Sequence, residues 1–288
     1  MTADEARASG KYPVVDLSIF DKVYELEFDS YILEREEEVK QEYIKYLKEL
    51  SSMRPLDRKK FLRVIKNREI RDNHHLEHED DFDIELHQEF NKANTIDFLL
   101  KHRKRMLTKD KFIKAHKIML DGTHNSQYKN YYWRSNNNKC VGTIENGRQI
   151  VQYFPIDYRE LDVAAEGCLR LYNYNTYNEH LLLKPQIIHG LVAATQLFED
   201  GNTRFARILQ NVKIFELSEY ELPYRIDSPA VYGTREYFPY REKYRDLIYE
   251  IVKNNDDEAW NNWFSFNLDR FEENVMFLSK KKEYIRRR

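Results

Sequence analysis

The chain has 288 residues, a formal net charge of −2, 33% charged and 41% hydrophobic residues. That balance is expected of a soluble globular protein and gives no overall pull toward nucleic acid. There is no signal-peptide core and no apolar run long enough to span a bilayer, so the expectation is a cytoplasmic protein without a membrane partner, or one delivered into a host cytosol if it acts as an effector. Two cysteines suit a reducing compartment, and 8 glycines and 7 prolines suit long helices with short connections.

In chain order, residues 1–12 read as disordered. From Ile19 to Leu50, the positions Tyr24, Phe28, Ile32, Leu33, Val39, Tyr43, Ile44 and Tyr46 recur as in amphipathic helices, and Leu56–Ile70 reads as a further helix. Residues 13–58 are therefore expected as N-terminal helices. His74-His75-Leu76-Glu77-His78 contains H-x-x-E-H, a pattern of one class of zinc peptidases, but the surrounding Asp72, Glu79, Asp80, Asp81 and Asp83 make it a solvated charged stretch. Lys139–Ile144, then Glu145-Asn146-Gly147-Arg148, then Gln149–Phe154 reads as a β-hairpin, because Asn-Gly is the strongest short hairpin turn signal. Cys140 and Cys168 have no metal or redox spacing. The basic end, Lys280 to Lys282 and Arg286 to Arg288, reads as a solvated tail over 276–288.

The run Pro185–Gln196 is mostly apolar, free of breakers except for Gly190, and reads as a largely buried helix. Glu199-Asp200-Gly201-Asn202 is turn chemistry. From Thr203, Phe205, Ala206, Ile208, Leu209, Val212, Ile214 and Phe215 recur at helical spacing, so a second helix follows. Loop amides and the N-terminus of that helix would form an anion site, with Arg204 and Arg207 projecting to one side over it. Two guanidiniums suit a polyphosphate, and Asp200 beside them suits Mg²⁺, which takes oxygen ligands and substrate phosphates.

Gln196-Leu197-Phe198-Glu199-Asp200-Gly201-Asn202-Thr203-Arg204-Phe205-Ala206-Arg207 resembles the Fic signature H-P-F-x-D-G-N-G-R-x-x-R. Phe198, Asp200, Gly201, Asn202, Arg204 and Arg207 agree with it. Gln196 stands where the family has its catalytic histidine, and Thr203 where it has glycine. Tyr131-Tyr132-Trp133-Arg134 resembles the family's G-x-Y-R segment, Leu107-Thr108-Lys109 and His116–Leu120 its early helix, and Arg235–Tyr249 with Asp256–Phe266 its closing helices. The likeness spans a domain at 59–275, with a flap at 139–155 and the motif at 196–207. It implies a mainly α Fic (Fido) fold with a small hairpin.

The resemblance also implies an activity. Fic proteins mostly act as adenylyltransferases, moving AMP from ATP to a hydroxyl of a target protein (AMPylation). By motif position, Asp200 would bind Mg²⁺, Gly201, Asn202 and Thr203 would hold the α- and β-phosphates, and Arg204 and Arg207 the outer ones. Phe198 belongs to the same nucleotide-binding loop. The flap residues Ile150, Val151, Gln152, Tyr153 and Phe154 would dock a target protein as an added strand. The residue at 196 should take the proton from the attacking hydroxyl, and the Gln196 amide has no usable basicity. Loss of a general base costs about 10²–10⁴-fold in rate. Transfer of a related group from another donor, or nucleotide binding without turnover (a pseudoenzyme), are the alternatives. His189, on the same helix face as Gln196, is a candidate substitute base but reads better as structural. At Thr203 a helix cap is expected. The family's inhibitory helix has its counterpart at Asn67–Asp72. One register sets Arg71 at the inhibitory glutamate position, where it repels Arg207, and a one-residue shift sets Asp72 there instead.

Overall fold

The computed structural model describes residues 3–61, 85–103, 105–122, 132–145, 148–218 and 238–286. The inhibitory positions Asn67, Arg71 and Asp72, the His74–His78 stretch, Tyr131 and the Asn146-Gly147 turn lie outside them. The elements are helices α1 (Ala3–Ala8), α2 (Ser18–Lys22), α3 (Ser30–Ser51), α4 (over 55–61), α5 (Glu85–Lys101) and α6 (Lys109–Leu120), strands β1 (Val141–Glu145) and β2 (Arg148–Tyr153), a 3-10 turn (Tyr158–Glu160), and helices α7 (Leu161–Asn173), α8 (Leu183–Thr195), α9 (Asn202–Leu217), α10 (Phe238–Asn254) and α11 (Asp257–Arg286). The fold is mainly helical, with one two-stranded antiparallel hairpin among the described residues.

α8 is the axis of the core, and every residue from Leu183 to Thr195 is buried. Such a helix needs apolar residues on all faces, and this one has them apart from Lys184, Gln186, His189 and Thr195. Lys184 is anchored by donating to the Tyr174 carbonyl and, at 2.6 Å, to Asn178 Oδ1. Gly190 has a packing reason, since a Cβ there would stand 2.9 Å from the Trp260 ring. α9 packs along α8, while α3 runs beside α11. The buried stripe of α3, Ile32, Glu36, Val39, Tyr43, Tyr46, Leu47 and Leu50, has helical spacing. Within it, Glu36 accepts from the Leu182 and Leu183 amides at 2.8 and 3.1 Å, satisfying donors that the start of α8 would otherwise leave orphaned. The Glu36 carboxylate also meets His180 Nδ1 at 2.7 Å and raises that imidazole above its ordinary range.

Two expectations at the chain ends are corrected. Residues 3–8 are helical rather than disordered, because Arg7 donates to the Pro155 carbonyl at 2.9 Å and Ala6 is buried. Pro13 and Val15 then bracket Phe154 in a parallel bridge, each sharing a 2.9 Å backbone bond with it. At the other end there is no separate tail from 276, since α11 continues unbroken through that boundary to Arg286. It continues because it lies on α3, with Tyr43 edge-on to Phe271 at 5.2 Å and buried Lys282 paired with Glu49.

Candidate functional site

The expected helix-loop-helix is present with α8 ending at Thr195 and α9 starting at Asn202. Two left-handed residues bracket the loop between them. Gln196 has φ 50° and ψ 56°, and Gly201 has φ 76° and ψ 9°. Gly201 takes that conformation freely, and a Cβ there would lie 2.6 Å from Met119 Cε. Gln196 has no such freedom and is held in place by its surroundings. Its Nε2 donates to the Ala193 carbonyl at 2.6 Å, its Oε1 accepts from Asn202 Nδ2 at 3.2 Å, and its carbonyl accepts from Arg134 Nε at 2.9 Å.

Asn202 locks the turn from the inside. Its Oδ1 accepts from the Phe198 amide and its Nδ2 donates to the Phe198 carbonyl, both at 2.8 Å. Asn202 is buried, and its side chain braces the loop. Arg134 is buried beneath it and donates to the carbonyls of Gln196, Asn136 and Ile156, while its amide bonds the Leu197 carbonyl at 3.1 Å. Burial lowers this guanidinium to about 10.

Phe198 plugs the loop into the core. Its ring stacks on His116 at 3.6 Å and 4°, with Phe205 edge-on at 5.7 Å. His116 Nε2 lies 2.8 Å from the Asp200 carbonyl, which can only accept, so Nε2 carries the proton. Burial holds this imidazole down at about 4 and therefore neutral. Lys139 supports the same segment, donating to the Glu199 carbonyl at 2.8 Å and the Phe198 carbonyl at 3.3 Å. Burial lowers its ammonium to about 8. Glu199 Oε1 accepts from the Ser135 amide at 2.9 Å. Lys139 and the loop role of His116 were not anticipated. Both act across long sequence separations and carry no local signal.

The outward side differs. Arg204 Nη2 pairs with Asp200 Oδ2 at 2.7 Å, one helical turn apart, and the two side chains are 17% and 34% exposed. Arg207 follows on the same side of α9 and is half-buried. The amides that precede Phe205 lie ahead of the first helical bond, Phe205 N to Gly201 O at 2.9 Å. Thr203 is not the cap. Gly201 holds that position without a side-chain bond, and Thr203 sits in the first turn, half-buried. Its helical backbone needs no positive φ, so a β-branched residue is unstrained there.

His189 is structural. Its Nδ1 meets Gln210 Oε1 at 2.5 Å and its Nε2 meets the Tyr244 hydroxyl at 2.9 Å, and burial lowers it to about 3.

The hairpin pairs Gly142 with Val151 and Glu145 with Arg148, with a bulge next to Val141. Of the five flap residues, Tyr153 and Phe154 are core, Ile150 is 43% exposed, and Val151 and Gln152 are half-buried. Tyr153 donates to the Ala193 carbonyl at 3.4 Å, the same oxygen that Gln196 contacts. The flap is thus fastened to the end of α8 beside the motif, leaving Ile150 at its free part.

Among the described residues, no group of three or more His, Cys, Asp or Glu side chains is arranged to hold a metal. No described helix is long and apolar enough to cross a membrane.

No family model and no curated protein matches this sequence. Solved structures do. A Fic domain-containing signalling protein from Bacteroides thetaiotaomicron superposes with a TM-score of 0.62 at 14% identity, over 85% of this chain and 96% of that one. A Fic family protein from Desulfovibrio desulfuricans superposes with a TM-score of 0.53 at 18% identity, over 88% of this chain and 75% of that one. At such identities the likeness establishes the fold, and the chain has the helical Fic fold with its hairpin flap.

Proposed function

We propose that the 196–207 loop binds a nucleotide and transfers AMP from ATP, or a related phosphate-linked group from its donor, to a hydroxyl of a target protein lying along the flap. The α–β phosphoanhydride bond breaks, pyrophosphate (or the donor's corresponding group) leaves, and the hydroxyl's proton passes to solvent water. The observation that carries this reading is the loop itself. A left-handed Gln196 and a left-handed Gly201 bracket the turn that leads into α9, on which Arg204 and Arg207 stand three residues apart. A helix N-terminus with two guanidiniums beside it is suited to a polyphosphate. Asp200 offers one part-exposed carboxylate, which fits Mg²⁺ held jointly with substrate phosphates rather than by a protein cage. A bound Mg²⁺ would neutralise phosphate charge. Arg204 would then shift from Asp200 to the phosphates.

Catalysis in this reading comes from positioning and electrostatics. Gln196 cannot accept the acceptor's proton. Its amide bonds to Ala193 and Asn202 instead fix the end of α8 and the entry to the loop.

A second reading is favoured by the same side chain. Both ends of the Gln196 amide are already bonded within the loop, as expected of a non-catalytic protein that keeps nucleotide or partner binding.

A thermal-shift screen of nucleotides with Mg²⁺ tests the site, with Arg207→Ala beside the wild-type protein. Ligand at about 100-fold above its Kd should raise stability by about 2.7 kcal/mol in the wild type only. No shift with any nucleotide defeats the transferase and the nucleotide binder and leaves only partner binding through the flap. Labelling of acceptor proteins by the stabilising donor, gained or strengthened in Gln196→His, then separates the enzyme from the binder.

A further inference from the structure

At the end of α5 a cleft of about 580 Å³ opens, lined among the described residues by Leu100, Lys101, His102, Arg103 and Arg105. That volume lies within the roughly 300–1,000 Å³ of small-molecule sites. α6 carries two more cations nearby, Lys114 and Lys111, whose Nζ donates to the Met106 carbonyl at 3.4 Å. Lys114 Nζ stands 5.5 Å from the Phe98 ring, whose edge meets His102 at 4.9 Å, and the Arg103 guanidinium lies 5.3 Å from the Phe215 ring. Lys101, Arg105 and Lys114 are exposed, and among the described residues no carboxylate pairs with them or with Lys111. Partial burial, then Lys111, Arg105, Lys114 and Lys101, push the His102 imidazole below its ordinary range, so their fields converge on one place.

This convergence is not a by-product of composition, since the whole chain is slightly acidic. Like charges gathered in a concave surface repel one another, and an anion relieves that repulsion. The site is also remote from the motif. Phe215 and Asn202 stand near opposite ends of α9, about 20 Å apart at the rise of an α-helix.

We propose that this cleft is a second anion site, binding a small, multiply phosphorylated ligand through Lys101, Arg103, Arg105 and Lys114. Lysines supply point charges to the phosphates, and an arginine flanked by a ring is held in the planar attitude that makes bidentate contacts.

Calorimetric titration of the full chain with inorganic tripolyphosphate, in the presence of a chelator, tests this. The titrations are made in an Arg207→Ala background, which disables the phosphate contacts proposed for the motif loop, and that protein should still bind. The double variant Lys101→Gln, Arg105→Gln in that background should bind at least about tenfold more weakly, as for loss of charge-assisted contacts, while melting where its parent melts. Should the double variant melt early, Lys114→Gln alone, at an exposed position, should still weaken binding about threefold or more. Absence of binding to the Arg207→Ala protein overturns the proposal. So does binding that survives the further substitutions. Tight binding of a single-stranded oligonucleotide where tripolyphosphate is bound weakly would overturn the ligand class in favour of nucleic acid.

Discussion

The inward and outward sides of the 196–204 loop are built on opposite terms. Inward, Asn202, Arg134, His116, Lys139 and the Gln196 amide are hydrogen-bonded to the loop or its flanks, and most are buried. Outward, Asp200, Arg204 and Arg207 remain part-exposed, and Asp200 of the loop is ion-paired with Arg204 in the first turn of α9. A recognisable motif therefore contains two populations of residues. One fixes the backbone, and its loss should register in stability. The other can exchange partners with a ligand, and its loss should register in binding.

The sharpest break of this division is Arg134→Ala. It strips three carbonyls of a buried charged donor. Hydrogen bonds to charged groups contribute about 1.5–3 kcal/mol each, though not additively, so a loss of roughly 4 kcal/mol in urea unfolding is expected. A loss below about 1 kcal/mol would show that the loop does not depend on its inner bracing. Gly201→Ala comes next. A left-handed alanine costs about 1–2 kcal/mol, and the contact with Met119 Cε adds overpacking, so roughly 2–3 kcal/mol is expected. A Met119→Ala background should return part of that loss, and failure to do so would remove the steric component.

The inner side should also be the acid-sensitive one. His116 is held at about 4 and His189 at about 3, both below the ordinary imidazole value of 6.5. The unfolded chain protonates each near pH 6.5, while the folded chain protonates them only at lower pH. Their neutral state therefore favours folding fully above pH 6.5, and that advantage is lost as pH falls toward the folded values. Each should lower stability by roughly 2 kcal/mol between pH 7 and pH 5. His116→Gln should remove about half of that slope in unfolding measured across the range. An unchanged slope would place the acid sensitivity elsewhere.

Much of this architecture was legible in the sequence because it rests on local chemistry. The apolar run of α8, the Gly201 turn, the apolar spacing of α9 and the two strands of the hairpin were expected within a residue or two of where they stand. What escaped were features decided by distant contacts. Nothing about a glutamine announces a left-handed backbone, and Gln196 adopts one because Arg134, Asn202 and Ala193 hold it. Lys139 gave no sign of its role because its carbonyl partners lie about sixty positions away in the chain. The polar N-terminus and the lysine-rich C-terminus read as solvated, yet Arg7 reaches Pro155 and Lys282 reaches Glu49. The motif was legible as a pattern, whereas the division of its residues between bracing and ligand contact required their hydrogen bonds.

The smallest expected effect tests the division at its boundary. Thr203 lies in the first turn of α9, half-buried, where no hydrogen bond of its hydroxyl is resolved. If it belongs to the outer population, Thr203→Gly should cost little stability, at most about 1 kcal/mol from the helix preference lost. The same substitution removes a branched side chain beside the first-turn amides, the place where a phosphate would approach. Nucleotide-induced stabilisation should then equal or exceed that of the wild type. A large stability loss would assign Thr203 to the bracing set. Weaker nucleotide binding with stability intact would instead mean that its hydroxyl contacts the ligand, turning a departure from the family pattern into a determinant of which donor the loop accepts.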